Sequence, residues 1–169
     1  MAVLSSMLDR PSTRAIHRTQ DVASPAAAAF TRICEVEKWP VWLSFLKSVR
    51  RIDEHQPLEL GSEIALRGAI PGEDEELYEV DRFLPGYIVS LVGAYSVRRR
   101  IEFRIERKSA SSRMVVRLDY PAYGGMLGAL IDRITARRRL VGALDESMQH
   151  FKGLVEFKDV PKDELLADF

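Results

Sequence analysis

Two periodicities divide the chain. In its middle, apolar and polar side chains alternate in short runs rich in β-branched and aromatic residues: "GSEIALRGAI", "EELYEVDRFL", "YIVSLVG", "SVRRRIEFRIE" and "RMVVRLDY". Between them lie "PGED", "LPG", "GAY" and "SASS", which carry turn chemistry. Connections this short join neighbouring antiparallel strands, because a parallel crossover needs a dozen or more residues. With a further strand near "VRRID", the pattern predicts a six-stranded meander. After "YPAYGG" the repeat lengthens. Leu127, Leu130, Ile131, Ile134, Val141, Leu144, Met148, Phe151 and Val155 recur at helical spacing, an apolar stripe along a helix of roughly 30 residues and roughly 45 Å.

Upstream of the meander, Ala15 to Val22 is a weakly alternating strand that stops at "ASP". Ser24 before Pro25 reads as a helix N-cap with proline at the first helical position, where its missing N–H costs nothing. The alanine-rich helix "PAAAAFTRICEV" follows, and Pro40 starts a second short helix carrying Trp42, Phe45 and Leu46 on one side. The expected fold is therefore α+β, with a seven-stranded antiparallel sheet, two short helices between strands 1 and 2, and a long C-terminal helix. Residues 1–13 read as a flexible leader, 14–156 as the folded domain and 157–169 as a polar tail.

Composition narrows the functional classes. A chain of 169 residues that is 46% hydrophobic and 30% charged suits one globular domain. With 25 Lys+Arg against 25 Asp+Glu the net charge is +0, so no general attraction to nucleic acid is expected and any basic site must be local. A single cysteine, Cys34, excludes an intramolecular disulfide and a thiolate-rich metal site, and reads as a small buried hydrophobe. The start, "MAVLSSMLDRPST", lacks the apolar stretch of a signal peptide, and no run reaches the ~18 apolar residues of a membrane span. A cytoplasmic protein is expected. His17, His55 and His150 are far apart, so no metal site is expected, and "GxSxG", P-loop and "GxGxxG" patterns do not occur. No cofactor is expected.

Three segments carry a family resemblance: "VASPAAAAF", "EVEKWPVWL" and "YPAYGGMLGALIDRITARRRLVGALDESMQHFKGLVE". Together with the order of elements they resemble the helix-grip fold of the START/Bet v 1-like (SRPBCC) superfamily, specifically its bacterial polyketide cyclase/dehydrase and lipid-transport branch, over about residues 14 to 156. The resemblance implies a curved sheet gripping the long helix around a deep apolar cavity. It implies binding of a hydrophobic small molecule of polyketide, polycyclic or prenyl-lipid type. An aromatase/cyclase that orients a poly-β-ketone for cyclisation and dehydration is the first alternative, and a protein-partner or quinone-chaperone module of the same fold the second. Whether the protein is an enzyme stays open, since fold alone does not choose among these. A monomer or homodimer is expected, with no nucleic acid and no integral membrane segment.

Strand parity selects the candidate site. In "SVRRRIEFRIE", Val97, Arg99, Ile101, Phe103 and Ile105 share one face, while Arg98, Arg100, Glu102, Arg104 and Glu106 share the other, which needs only water. Arg99 thus falls among apolar neighbours, where an unpaired cation is strongly disfavoured. Three roles are open to it: pairing with an inward acid such as Glu79 or Asp81, reaching water at the cavity mouth, or anchoring a ligand oxygen. The acidic run Glu73 to Glu76 falls in an expected turn. Cavity-lining positions on the sheet are Ile64, Leu66, Tyr78, Val80, Val97, Arg99, Ile101, Phe103, Met114, Val116, Leu118 and Tyr120. From the helices come Trp42, which closes one end while Trp39 packs outside, and Leu127, Ile131, Ile134, Arg138, Val141 and Met148. Arg99, Tyr78 and Tyr120 are the candidate catalytic groups.

Overall fold

In the computed structural model, which describes residues 13–68, 74–121 and 128–157, with backbone alone at Thr13, 96–98, Pro121 and 128–136, the chain alternates as its periodicity predicts. Strand β1 (Thr13–Val22) leads into α1 (Ala26–Cys34), a 3-10 turn (Val36–Lys38) and α2 (Trp39–Trp42). Six strands follow: β2 (Ser48–Arg51), β3 (Glu63–Arg67), β4 (Glu75–Leu84), β5 (Ile88–Gly93), β6 (Ser96–Arg107) and β7 (Ser112–Pro121). The last element is α3 (Gly128–Glu156), 29 residues long. The rest of the expected leader, the 69–73 turn, the 122–127 segment and the tail from residue 158 lie outside the described residues.

All seven strands form one antiparallel sheet in the order β1-β7-β6-β5-β4-β3-β2. Short turns make the meander. At Leu84–Tyr87 the Tyr87 N–H donates to the Leu84 carbonyl at 3.0 Å, with proline second and Gly86 third at φ +77°, a type II turn whose third position requires a left-handed residue. Strand β1 does not pair with β2, from which α1 and α2 separate it, and joins the other edge on β7. Bulges between Val80 and Arg82 and between Val92 and Gly93 interrupt the ladders, and bulges of this kind bend a sheet.

The inner face carries Ile64, Leu66, Tyr78, Val80, Val89, Leu91, Ile101, Phe103, Ile105, Met114, Val116 and Leu118, all buried. Against it α3 lays Leu144, Met148, Phe151 and Val155. Polar contacts then fix the helix. Arg18 Nε donates to Asp145 at 2.6 Å, Gln149 to Gln20 at 2.9 Å, and the Ala23 N–H to Glu156 at 2.7 Å, so β1 and α3 run in the same direction along a common seam. On the other side the Ser44 N–H donates to Ser147 Oγ at 2.9 Å, clamping the chain after α2 to α3.

Three local expectations change. Helix α1 begins at Ala26 with Pro25 at the cap position, and Ser24 is buried with its carbonyl accepting from Ser112 Oγ at 2.9 Å. Helix α2 is a single turn that ends at Trp42. The outer face of the sheet is not merely hydrated: Glu102 and Asp119 are each only 6% exposed. Arg82 and Arg104 donate to Glu102 at 3.1 and 2.9 Å, and Arg117 to Asp119 at 2.8 Å. Arginine stems cover the carboxylates they neutralise.

Candidate functional site

One end of the grip gathers the polar groups. There β1, β4 and β6 begin, β5 and β7 end, and α3 begins, as the antiparallel register and the β1–α3 seam require. Glu76 is opposite Leu66 and Tyr78 opposite Ile64, so both belong to the inner face. Arg99 forms an ion pair with Glu76, and Tyr78 Oη donates to Glu76 Oε2 at 3.3 Å. Tyr78 also pairs in register with Gly93, which has no side chain to separate β4 from β6 there. The Arg99 side chain is 16% exposed and that of Glu76 30%, so the cluster reaches the rim.

The expected partners of Arg99 are therefore corrected. Glu79 pairs in register with Val92 on the outer face and is exposed, and Asp81 sits at the bulge, bound to Arg100 at 2.7 Å. Glu76 is a strand residue of β4 rather than part of a turn. Four acidic side chains stand in a row here, Glu73 to Glu76, and β4 takes in the last two.

Aromatic rings occupy the interior further along β6. Phe103 meets Trp39 edge-on at 5.1 Å and Trp42 at 5.7 Å, and Trp42 meets Phe151 at 4.8 Å. Trp39 is fully buried, contrary to its expected place outside, and its Nε1 donates to the Ile33 carbonyl at 2.8 Å. Trp42 is equally buried, yet among the described residues its Nε1 has no partner, and the buried Tyr120 Oη has none there either. An unpaired buried polar group costs about 1–3 kcal/mol.

Of the remaining expected lining residues, Ile64, Leu66, Val80, Ile101, Met114, Val116, Leu118 and Met148 are buried within one core, and Val141 is half-buried against it. Val97, Ile131 and Ile134 have described backbone only, and Leu127 lies outside the described residues. Arg138 is exposed, as are Arg137 and Arg139. Sequence reasoning missed Glu76, the burial of Trp39 and the ring contact of Phe151 with Trp42. Its own helical stripe had pointed to Phe151.

Elsewhere, a surface cleft of about 290 Å³ opens between Arg51, Asp53, Gln56, Glu59 and Glu63. It shares no residue with the inner-face cluster, and Arg51 is already bonded to Glu37 and to the Gln56 carbonyl. Among the described residues no group of three His, Cys, Asp or Glu is placed to hold a metal, and no helix is long and apolar enough to cross a membrane. Cys34 packs against the core, where burial pushes its thiol up to about 11.

Known proteins share this architecture. An aromatase/cyclase, Zhui, from a Streptomyces species superposes with a TM-score of 0.67 at 16% identity, covering 90% of this chain and 98% of that one. A START superfamily protein from Mycobacterium smegmatis gives 0.61 at 17%, covering 85% and 98%. Norcoclaurine synthase from Thalictrum flavum gives 0.60 at 15%, covering 88% and 98%. No curated protein matches the sequence significantly. Identities this low establish the helix-grip fold alone. The family match is made on the sequence itself and runs over residues 13–156, from the first residue of β1 to the last of α3: the chain belongs to the polyketide cyclase/dehydrase and lipid transport family.

Proposed function

We propose that the protein binds a hydrophobic small molecule bearing oxygen atoms, held between the inner face of the sheet and α3. The observation that carries this reading is that two of the four buried side-chain atoms without a partner among the described residues, Trp42 Nε1 and Tyr120 Oη, belong to aromatic residues of the core. A core meant only to be packed leaves such atoms paired, whereas oxygens of a bound molecule accept from each of them. A mostly apolar lining with a few aimed polar groups is the usual make-up of a small-molecule site. The family description, with its cyclases and lipid carriers, supports the same class. Titration with the uncharged dye N-phenyl-1-naphthylamine tests it: saturable enhancement of dye emission with quenching of tryptophan emission is expected. Absence of any saturable binding overturns the reading.

The Arg99–Glu76–Tyr78 cluster favours cyclisation as a second reading, in line with the aromatase/cyclases of the same fold. A methylene flanked by two carbonyls loses its proton to the Glu76 carboxylate. Its carbon then bonds to a further carbonyl carbon, and the new alkoxide, beside Arg99, takes that proton back. Orientation and oxyanion stabilisation supply most of the acceleration in such a step. Incubation with a synthetic poly-β-ketone thioester, followed by chromatography for the cyclised isomer of unchanged mass, distinguishes catalysis from carriage.

A further inference from the structure

The mouth of the grip lies on α3, where a line of core contacts stops. Val155, Phe151, Met148 and Leu144 form one stripe facing the sheet, and all are at most 3% exposed. One turn earlier Leu140 and Val141 are half-buried, and one turn before them Arg137, on the same stripe at 3.6 residues per turn, is exposed. Among the described residues the cover on this stripe thins from Leu144 to Arg137, whose side chain reaches solvent.

The β1–α3 seam shows what stands beside this opening. Gln20 meets Gln149 and Arg18 meets Asp145, two strand residues for every four of the helix. Four strand residues before Arg18, about 13 Å along β1, is Arg14. Eight helix residues before Asp145, about 12 Å along α3, is Arg137, with Arg138 on the side of the helix that Asp145 occupies. The seam thus passes from amide against amide to cation against anion, and the same pitch carried further sets Arg14 level with Arg137 and Arg138. Among the described residues many arginines have a carboxylate within reach, as Arg18, Arg82, Arg99 and Arg100 do. Arg14, Arg137 and Arg138 have none. Arg14 is also the register partner of Tyr120, whose buried Oη lacks a partner.

We infer that Arg14, Arg137 and Arg138 form a cationic collar that takes the anionic head, a carboxylate or phosphate, of an amphiphile whose apolar part lies inside the grip. This rests on the binding reading above and adds the charge of the ligand. Like charges brought together without an acid repel each other, and a bound anion removes that repulsion while gaining charge-assisted hydrogen bonds. The wall that Arg14 adjoins, Ile16 and Leu118, is apolar, which calls for a tail as well as a head.

Two dyes that differ by one sulfonate test the collar: 1-anilinonaphthalene-8-sulfonate and the uncharged N-phenyl-1-naphthylamine. In the Arg14→Gln/Arg138→Gln double variant the sulfonate dye is expected to bind about tenfold more weakly. The uncharged dye should keep its affinity, and the melting temperature should stay level or rise. Arg139→Gln, on the far side of α3, should change neither dye. If the uncharged dye binds but the sulfonate dye ignores the double variant, the collar falls and the binding reading stands. If neither dye binds the unaltered protein, both fall. Inorganic phosphate alone should leave the sulfonate dye in place, and displacement by phosphate would make this a site for a free anion and overturn the amphiphile.

Discussion

Arg99 of β6 reaches past the end of β5 to Glu76 of β4, and the two form an ion pair just inside the rim of the grip. Tyr78 donates to the same carboxylate at 3.3 Å. Replacing Arg99 by glutamine deletes the charge and leaves a partly buried acid with less support. Both side chains touch water, so the loss is expected to be about 1–2 kcal/mol rather than the 3–5 of a fully buried pair. Glu76→Gln should cost a similar amount, and the double variant clearly less than the sum. Urea unfolding of the four proteins measures the coupling, and strict additivity would deny the pair any energetic role.

Phe103 holds the aromatic interior together. It is fully buried and meets both Trp39 and Trp42. Alanine there removes the ring that both indoles pack on, with an expected loss of about 3–5 kcal/mol and a weaker near-ultraviolet circular dichroism. A loss below about 1 kcal/mol, far under that range, would mean the ring borders open space.

The two tryptophans should part company in their response to a ligand. Trp39 Nε1 already donates to the Ile33 carbonyl, whereas Trp42 Nε1 has no partner among the described residues. Trp39→Phe is expected to lose about 1 kcal/mol for the hydrogen bond and to keep the fluorescence response to N-phenyl-1-naphthylamine. Trp42→Phe should lose that response. The opposite pattern would place the ligand against Trp39.

How much of this was legible in the sequence depends on how local each feature is. Alternation along β6 sends Ile101 and Phe103 inward and Glu102 and Arg104 outward, and the structure agrees. The order of elements and the length of α3 follow from period and turn residues. Trp39 was misplaced because burial of a residue just before Pro40 depends on how a one-turn helix docks. Glu76 falls in both an alternating run and an acidic run that reads as a turn, and only pairing with β3 assigns it to the strand. Burial of Glu102 comes from arginines on β4 and β6 that cover it, a relation fixed by tertiary arrangement. The stripe on α3 was visible, but its uncovering at Arg137 was not, since other elements supply the cover.

Arg100 illustrates what that hidden arrangement changes. Parity alone makes it a surface residue, for which glutamine would alter stability by no more than ~0.5 kcal/mol. Its side chain is instead 26% exposed, pairs with Asp81 at 2.7 Å and donates to the buried Ser90 Oγ at 3.0 Å. Asp81 Oδ1 already lacks a partner, so Arg100→Gln takes away the charge that supports the acid. A loss of about 1–2 kcal/mol is expected, read by urea unfolding. A value within the surface range would show that water replaces Arg100 without cost.

Cys34 gives a pH-dependent test. Burial raises its thiol to about 11 in the folded protein, against roughly 8.5 for an exposed cysteine. Below the unfolded value both states hold the proton and the thiol's packing contribution is complete. As pH climbs from there towards 11, the unfolded chain releases its proton first, so stability declines through that window. Lysines and tyrosines titrate in the same range, and comparison with Cys34→Ala isolates the thiol. The stability difference between the two proteins should be constant up to about pH 8 and then shift against the unaltered protein as the unfolded thiol ionises. The same burial leaves little thiolate at pH 8, so iodoacetamide should alkylate the native protein on the order of 100-fold more slowly than the urea-unfolded chain. Equal rates would mean that Cys34 is open to solvent and would remove the basis for the pH effect.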